Sequence, residues 1–176
     1  MVSVGGPRMA SPASVVSSQR LTLEPLRVDD AVEMAPILND TALHTFIGGE
    51  PATASELRQR YERQVVGRSA DGSEIWLNWV VRRHDNGQAV GTVQATITEQ
   101  DGRLAGDVAW VLGAAQQGHG YAREAAWTMV AWLRQQQVEL VVAHVYPDHE
   151  ASIAVARAIG LAPTDVVVDG EVRWEA

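Results

Sequence analysis

One stretch, "GDVAWVLGAAQQGHGYAREAAWTMVAWL" (residues 106–133), constrains the fold more than any other part of the chain. An apolar run with strand character passes through Gln, Gly and His into a strongly periodic helix. Gly118 and Gly120 stand where that helix must begin. Glycine is a poor helix former, so its place here asks for bare backbone. A helix N-terminus offers unpaired N–H groups and partial positive charge, and a phosphate can reach those amides only if no Cβ blocks them. The same two glycines are also ordinary turn residues, so their meaning depends on what surrounds them. They are not a dinucleotide fingerprint, because Arg123 stands where that loop needs Gly or Ala.

Two absences narrow the chemistry. All 14 basic residues are Arg, which removes the Lys of a Walker loop and the amine of a Schiff-base enzyme. There is no Cys, hence no thiolate nucleophile, no cysteine metal site and no disulfide. A net charge of -8 argues against nucleic acid as a partner; it mildly favours a cationic or amine-bearing one, or only aids solubility. With 46% hydrophobic and 20% charged residues in 176, the chain reads as one soluble domain over 19–176. Residues 1–18, small and Gly/Pro/Ser-containing, read as a disordered tail that includes a possible upstream start before Met9. No membrane span is expected, a cytoplasmic location is the default, and the chain is read as a monomer or homodimer.

The periodicities give the order β-α-α-β-β-β-α-β-α-β-β, a mixed α/β domain. "RLTLEPL" opens as a strand, and "VDDAVEMAPILND" follows as a helix that Pro36 should kink or shorten. "LHTFIGGEP" reads as loop. Thr53 and Glu56 form a capping box for the helix that Gly67 ends. Strands then meet at "HDNG" and "QDG" turns, and the last hairpin turns at Asp169-Gly170. In the long helix, Ala122, Ala125, Ala126, Met129, Val130 and Leu133 share one buried face. A final helix takes Asp148 as N-cap and Gly160 as terminator.

The segment "QGHGYA", residues 117–122, fits Q/R-x-x-G-x-G/A, the pyrophosphate loop of the GCN5-related N-acetyltransferases (GNAT). "GDVAWVLGAAQQGHGYAREA" resembles the subgroup of ribosomal-protein N-terminal acetyltransferases, with Asp107, Trp110, Gly118, Gly120 and Glu124 in register. "DHEASIAVARAIGL" is similar to the family's N-x-x-S-(x)7-G-hydrophobic helix through Ser152 and Gly160. The resemblance covers about Arg20 to Trp174. It implies a single GNAT-like domain, a mostly antiparallel sheet splayed between the fourth and fifth strands, and about four flanking helices. It also implies acetyl-CoA or another acyl-CoA as co-substrate, no metal, and a small-molecule amine or protein N-terminus as acceptor. The chain departs from the pattern at His149 (family Asn), Gln117 (often aromatic), His119 (Lys or Arg) and Ala156 (often the Tyr general acid).

By this resemblance the cofactor is held by amides at Gln117, Gly118, His119, Gly120, Tyr121 and Ala122, with Arg123, His149 and Ser152 nearby. Trp110, Val111 and Leu112 would offer backbone groups to pantetheine, and the Val111 or Leu112 N–H would polarise the thioester carbonyl. The acceptor amine must arrive neutral, so a base is needed: Asp107 first, acting through water, then Glu74. Ser152 would protonate the leaving thiolate, with Tyr146 in reserve. Lacking Cys and a G-x-S-x-G elbow, the chain favours direct transfer in a ternary complex. A CoA-binding sensor or scaffold without turnover is the alternative. His144, His149, Asp148 and Glu150 have no shared spacing for a metal. Trp76 or Trp79 is expected to face the acceptor cleft, with His44 and Glu50 placed there by analogy of position.

Overall fold

Turn chemistry sets the order of the strands. At Asp101-Gly102 and Asp169-Gly170 both central residues have positive φ (52° and 76°, 51° and 84°), the two-residue turn whose twist matches antiparallel strands. The computed structural model describes residues 6–176. Its elements are β1 (Val16–Ser17), β2 (Leu21–Pro25), α1 (Asp30–Ile37), α2 (His44–Ile47), α3 (Ala54–Gln64), β3 (Ile75–Arg83), β4 (Ala89–Gln100), β5 (Arg103–Leu112), α4 (Tyr121–Gln135), β6 (Val138–Val145), α5 (Glu150–Ala158), β7 (Ala162–Val168) and β8 (Glu171–Glu175). They form one sheet in the order β1-β2-β3-β4-β5-β6-β8-β7.

Every neighbouring pair is antiparallel except β5 and β6, which α4 joins as a parallel crossover. That pair is in register only from Leu104 to Asp107, against Val138 to Val142. Beyond Asp107, β5 stays with β4 as far as Leu112, while β6 turns to β8. The sheet therefore opens between β5 and β6. These are the expected fourth and fifth strands, renumbered because Val16–Ser17 adds one at the start.

The larger core joins α4 and α5 to one set of sheet residues, and the face read from the sequence is the one buried: Ala125, Ala126, Met129 and Leu133 are each 0% exposed. A smaller core joins α1 and α3 through Ala31, Met34, Leu57 and Tyr61 to Val80. The capping box of α3 is present, with Thr53 N–H donating to Glu56 Oε2 at 2.8 Å and Glu56 N–H to Thr53 Oγ1 at 3.2 Å. Pro36 lies inside α1, one residue from its end, and the helix stops at Ile37, short of the stretch read from periodicity.

Three readings need correction. The stretch read as loop, "LHTFIGGEP", contains the single helical turn α2, which makes five helices rather than about four among the described residues. The N-cap of α5 is His149 rather than Asp148, because the chain is still turning at Asp148. Finally, the expected tail is partly built into the fold; residues 1–5 lie outside the described residues. Val16–Ser17 pairs with β2, Met9 and Ala13 pack on the main core, and Trp79 Nε1 donates to Ser14 O at 2.8 Å. The buried indole needs that acceptor. Composition hid it, since a backbone carbonyl can come from any residue.

Removal of residues 1–14 should therefore lower the melting temperature by roughly 5 °C, through lost packing and an orphaned indole N–H. Differential scanning calorimetry checks this; an unchanged melting temperature would mean that the segment is a free tail.

Candidate active site

The loop before α4 shows why glycine stands there. Gly118 and Gly120 have φ of 84° and 79°, in the left-handed region that side chains rarely adopt. A Cβ on Gly118 would meet nothing within 4 Å, and one on Gly120 only the Arg20 guanidinium at 3.4 Å. Backbone conformation, not crowding, demands the two glycines. Gln117 N–H donates to Ala114 O at 3.3 Å, and the next backbone bond is Glu124 N–H to Gly120 O at 3.1 Å. Between them, the amides of Gly118, His119, Gly120, Tyr121, Ala122 and Arg123 donate to no backbone carbonyl among the described residues. Alternating left-handed residues at a helix N-terminus make a concave row of donors suited to an anion.

Glu124 and Arg20 clamp this row. Glu124 Oε1 accepts from Ser18 Oγ at 2.6 Å and from Arg20 N–H at 2.8 Å, and Oε2 accepts from Arg20 Nε at 2.6 Å. Arg20 Nη1 in turn donates to His119 O at 2.9 Å, which ties the loop to β2. Burial pushes the Glu124 pKa up, but the bonds from Ser18 and Arg20 outweigh it and hold the carboxyl below its ordinary value. The Tyr121 ring is buried beneath, with Arg20 4.8 Å from its centroid and His119 stacked at 5.4 Å. Its contribution to the loop surface is its amide. The Arg123 side chain is exposed beside Trp127.

Two cavities meet at the open end of β5. The smaller, about 330 Å³, is walled by Leu112, Gln117, Gly118, Ala122 and Val155. The larger, about 650 Å³, is walled by His44, Glu50, Asn78, His144, Tyr146 and Glu171. Phe46, Trp110, Val111, His149 and Ser152 belong to both. Phe46 and His149 stack at 3.9 Å and 23°, so the ring in place of the family's Asn helps to form the partition. Burial lowers the His149 pKa, with Asp148 opposing. The expected positions gather around the smaller cavity except His119 and Arg123, which lie outside it, and Tyr146 faces the larger one. Ala156 lies 0% exposed in the main core, so no hydroxyl comes from there.

The two carboxylates expected as bases lie elsewhere. Asp107 Oδ2 is 3.2 Å from His144 Nδ1, and Glu74 Oε2 accepts from Trp76 Nε1 at 2.8 Å. Both line a groove with Thr96 and Arg173, outside the two cavities. Desolvation raises the Asp107 pKa, with His144 and Arg173 opposing, although about half of the side chain stays exposed. Trp79 is fully buried at the base of the larger cavity, whereas Trp76 is held on Glu74. Sequence reasoning did not single out His144 or Glu171 for catalysis. The available signal was one imidazole in the apolar strand "VELVVAHV".

Comparison with known proteins agrees with this geometry. The family described as "Acetyltransferase (GNAT) domain" matches residues 20–162. No match is found among curated proteins. Among solved structures, the chain is similar to RimL, a ribosomal L7/L12 alpha-N-protein acetyltransferase in complex with coenzyme A: TM-score 0.76 and 15% identity over 93% of this chain and 97% of that one. A ribosomal-protein-S5-alanine acetyltransferase from Vibrio fischeri gives 0.72 and 21% over 92% and 95%. An acetyltransferase from Salmonella typhimurium that modifies the N-terminal serine of ribosomal protein L7/L12 gives 0.73 and 15% over 93% and 98%. At these identities the likeness is one of fold.

The clamp has a pH signature. Because the folded-state pKa of Glu124 is lowered, its contribution is present above the unfolded carboxylate pKa and is lost as pH falls through the folded value. Glu124→Gln should cost on the order of 1–2 kcal/mol at pH 7 and less below pH 4. Chemical denaturation across pH 3–7 reads the difference between the two proteins; a constant difference would remove Glu124 from the clamp.

Proposed function

This chain belongs to the GNAT acetyltransferase family, and from that premise we propose that it moves an acetyl group from acetyl-coenzyme A directly to a primary amine, either a peptide or protein N-terminus or a small-molecule amine. The observation that carries the reading is the uninterrupted row of free amides from Gly118 to Arg123, aimed past two left-handed glycines. A diphosphate fits that row, since its oxygens need several N–H donors and no Cβ in front of them. The opening between β5 and β6 continues from the row toward the larger cavity.

Bound there, acetyl-coenzyme A supplies an acetyl thioester. The protein's part is to hold, to polarise and to move protons. Gly113 N–H donates to Val90 O at 2.9 Å, and a Cβ on Gly91 would lie 2.1 Å from Val111 O, so Gly113 and Val111 face β4. Strand alternation then turns the Leu112 N–H toward the gap. That direction supports Leu112, of the two donors expected from sequence, as the one that polarises the carbonyl in this reading, an effect typically worth about 3 kcal/mol. Ser152 lies in the wall common to both cavities and, in this reading, protonates the leaving thiolate, with Tyr146 in reserve. Gln117, Ala122, Trp110 and His149 shape the channel.

Thiol release from acetyl-CoA, read across peptides with free N-terminal Ser or Ala, spermidine and an aminoglycoside, tests the reaction. At least one amine should raise release above hydrolysis, and Ser152→Ala should lower kcat about tenfold or more. Coenzyme A titrated by calorimetry should bind the wild type, while Gly120→Val, which forces about 1–2 kcal/mol of backbone strain into the loop, should weaken affinity at least tenfold with the fold retained. Undiminished affinity would displace the site.

A further inference from the structure

His144 stands alone as a polar side chain in the second half of β6, among Val141, Val142, Ala143 and Val145, each of which is nearly or fully buried. Its ring lines the larger cavity, and its Nδ1 lies 3.2 Å from Asp107 Oδ2. An ionised carboxylate only accepts hydrogen bonds, so in a neutral ring this contact favours the tautomer with the proton on Nδ1 and the lone pair on Nε2. Asp107 itself is spent on this contact and does not line the cavity. An ordinary carboxylate is also a far weaker base than imidazole, about 3.9 against 6.5.

We infer that His144 Nε2 takes the proton from the acceptor amine, and that Asp107 is the positioning residue that fixes the ring's tautomer and direction. The inference rests on the acetyltransfer reading above and replaces the expectation that Asp107 acts as base through water. An imidazole suits an α-amine, with a pKa of about 8, better than a lysine-type amine near 10.4, so the geometry favours an N-terminal or similarly weak amine. The charged and titratable groups around the ring are Asp107 from β5, Glu171 and Arg173 from β8, and Asp169 at the turn before it. Across the cavity stand Glu50, His44 and Arg60, with Tyr146 and His149 following β6. Arg173 is occupied by Glu175 at 2.8 Å. Burial raises the Glu171 pKa, with His144 lowering it.

The proton and electron count closes. The acceptor ammonium gives one proton to Nε2, and the freed nitrogen pair forms the N–C bond. The C–S bond breaks with its pair on sulfur. Sulfur takes a proton from Ser152 or Tyr146, the surplus nitrogen proton restores that hydroxyl, and the imidazolium returns its own proton to water. The net products are an amide, a thiol and one proton.

With the N-terminal-serine peptide, or the best acceptor of the panel if that peptide is not a substrate, His144→Gln should lower kcat about 100-fold at pH 7 with KM changed less than threefold. The deficit should shrink toward pH 9.5, where an α-amine arrives already neutral. Asp107→Asn should lower kcat with the imidazole still present. On wild-type protein without substrate, ¹⁵N-histidine spectra should show His144 protonated at Nδ1 and bare at Nε2, which a merely structural histidine need not be. A proton on Nε2, a deficit constant across pH, or a Glu171→Gln variant that alone shows the pH-dependent rescue would each overturn the assignment. Wild-type protein that binds coenzyme A but releases no thiol with any amine overturns the acetyltransfer reading too; turnover with a fully active His144→Gln overturns only this inference.

Discussion

The fold depends on where β5 and β6 part. A parallel pair at the centre of an antiparallel sheet exists because α4 must cross from one to the other, and that pairing stops at Asp107. From there β5 is held by β4 alone, and the backbone facing β6 is left to line a gap. The same parting delivers the end of β5 to the N-terminus of α4, through a short turn at Ala114–Gln116. Strand end, free amides and helix dipole thus converge by topology. An anion site made this way has its donors fixed before any ligand arrives, so little ordering remains to oppose binding.

Fixing those donors is the task of a side chain outside the loop. Arg20, just ahead of β2, reaches the Glu124 carboxylate and the His119 carbonyl together and lies over the Tyr121 ring. Two left-handed glycines give the loop its shape but also its freedom, and the clamp removes that freedom. This accounts for the glutamate in the motif "GYAREA" without placing it on a ligand. It also explains why the residues just before β2 belong to the fold: Ser18 donates to the same carboxylate, and Ser14 caps the Trp79 indole.

Much of this could be read in the sequence, and the parts that could not share a cause. Periodicity marked the α4 face, the Asp-Gly turns fixed two hairpins, and the two glycines located the amide row, because each is a local signal. The roles of Arg20 and Ser14 were hidden, because they reach across 104 and 65 residues to their partners. Asp107 was picked out as the acid of a motif, but its partner His144 sits on a strand brought alongside only by the crossover. The single turn α2 has no sequence signature because four residues are too few to carry a helical period; what matters there is that Phe46 reaches His149. Holding groups are therefore legible in one segment, whereas the groups proposed to handle protons come from β5, β6, the turn after β6 and α5.

The central claim is that a diphosphate lies on the amides opening α4, and an amide-resolved NMR titration with coenzyme A addresses it directly. The largest shifts should fall on the backbone N–H groups of residues 118–123, with Leu112 following as the cofactor's arm enters the gap. Saturating perturbation confined to the far end of the sheet, or none at millimolar coenzyme A, would contradict the account.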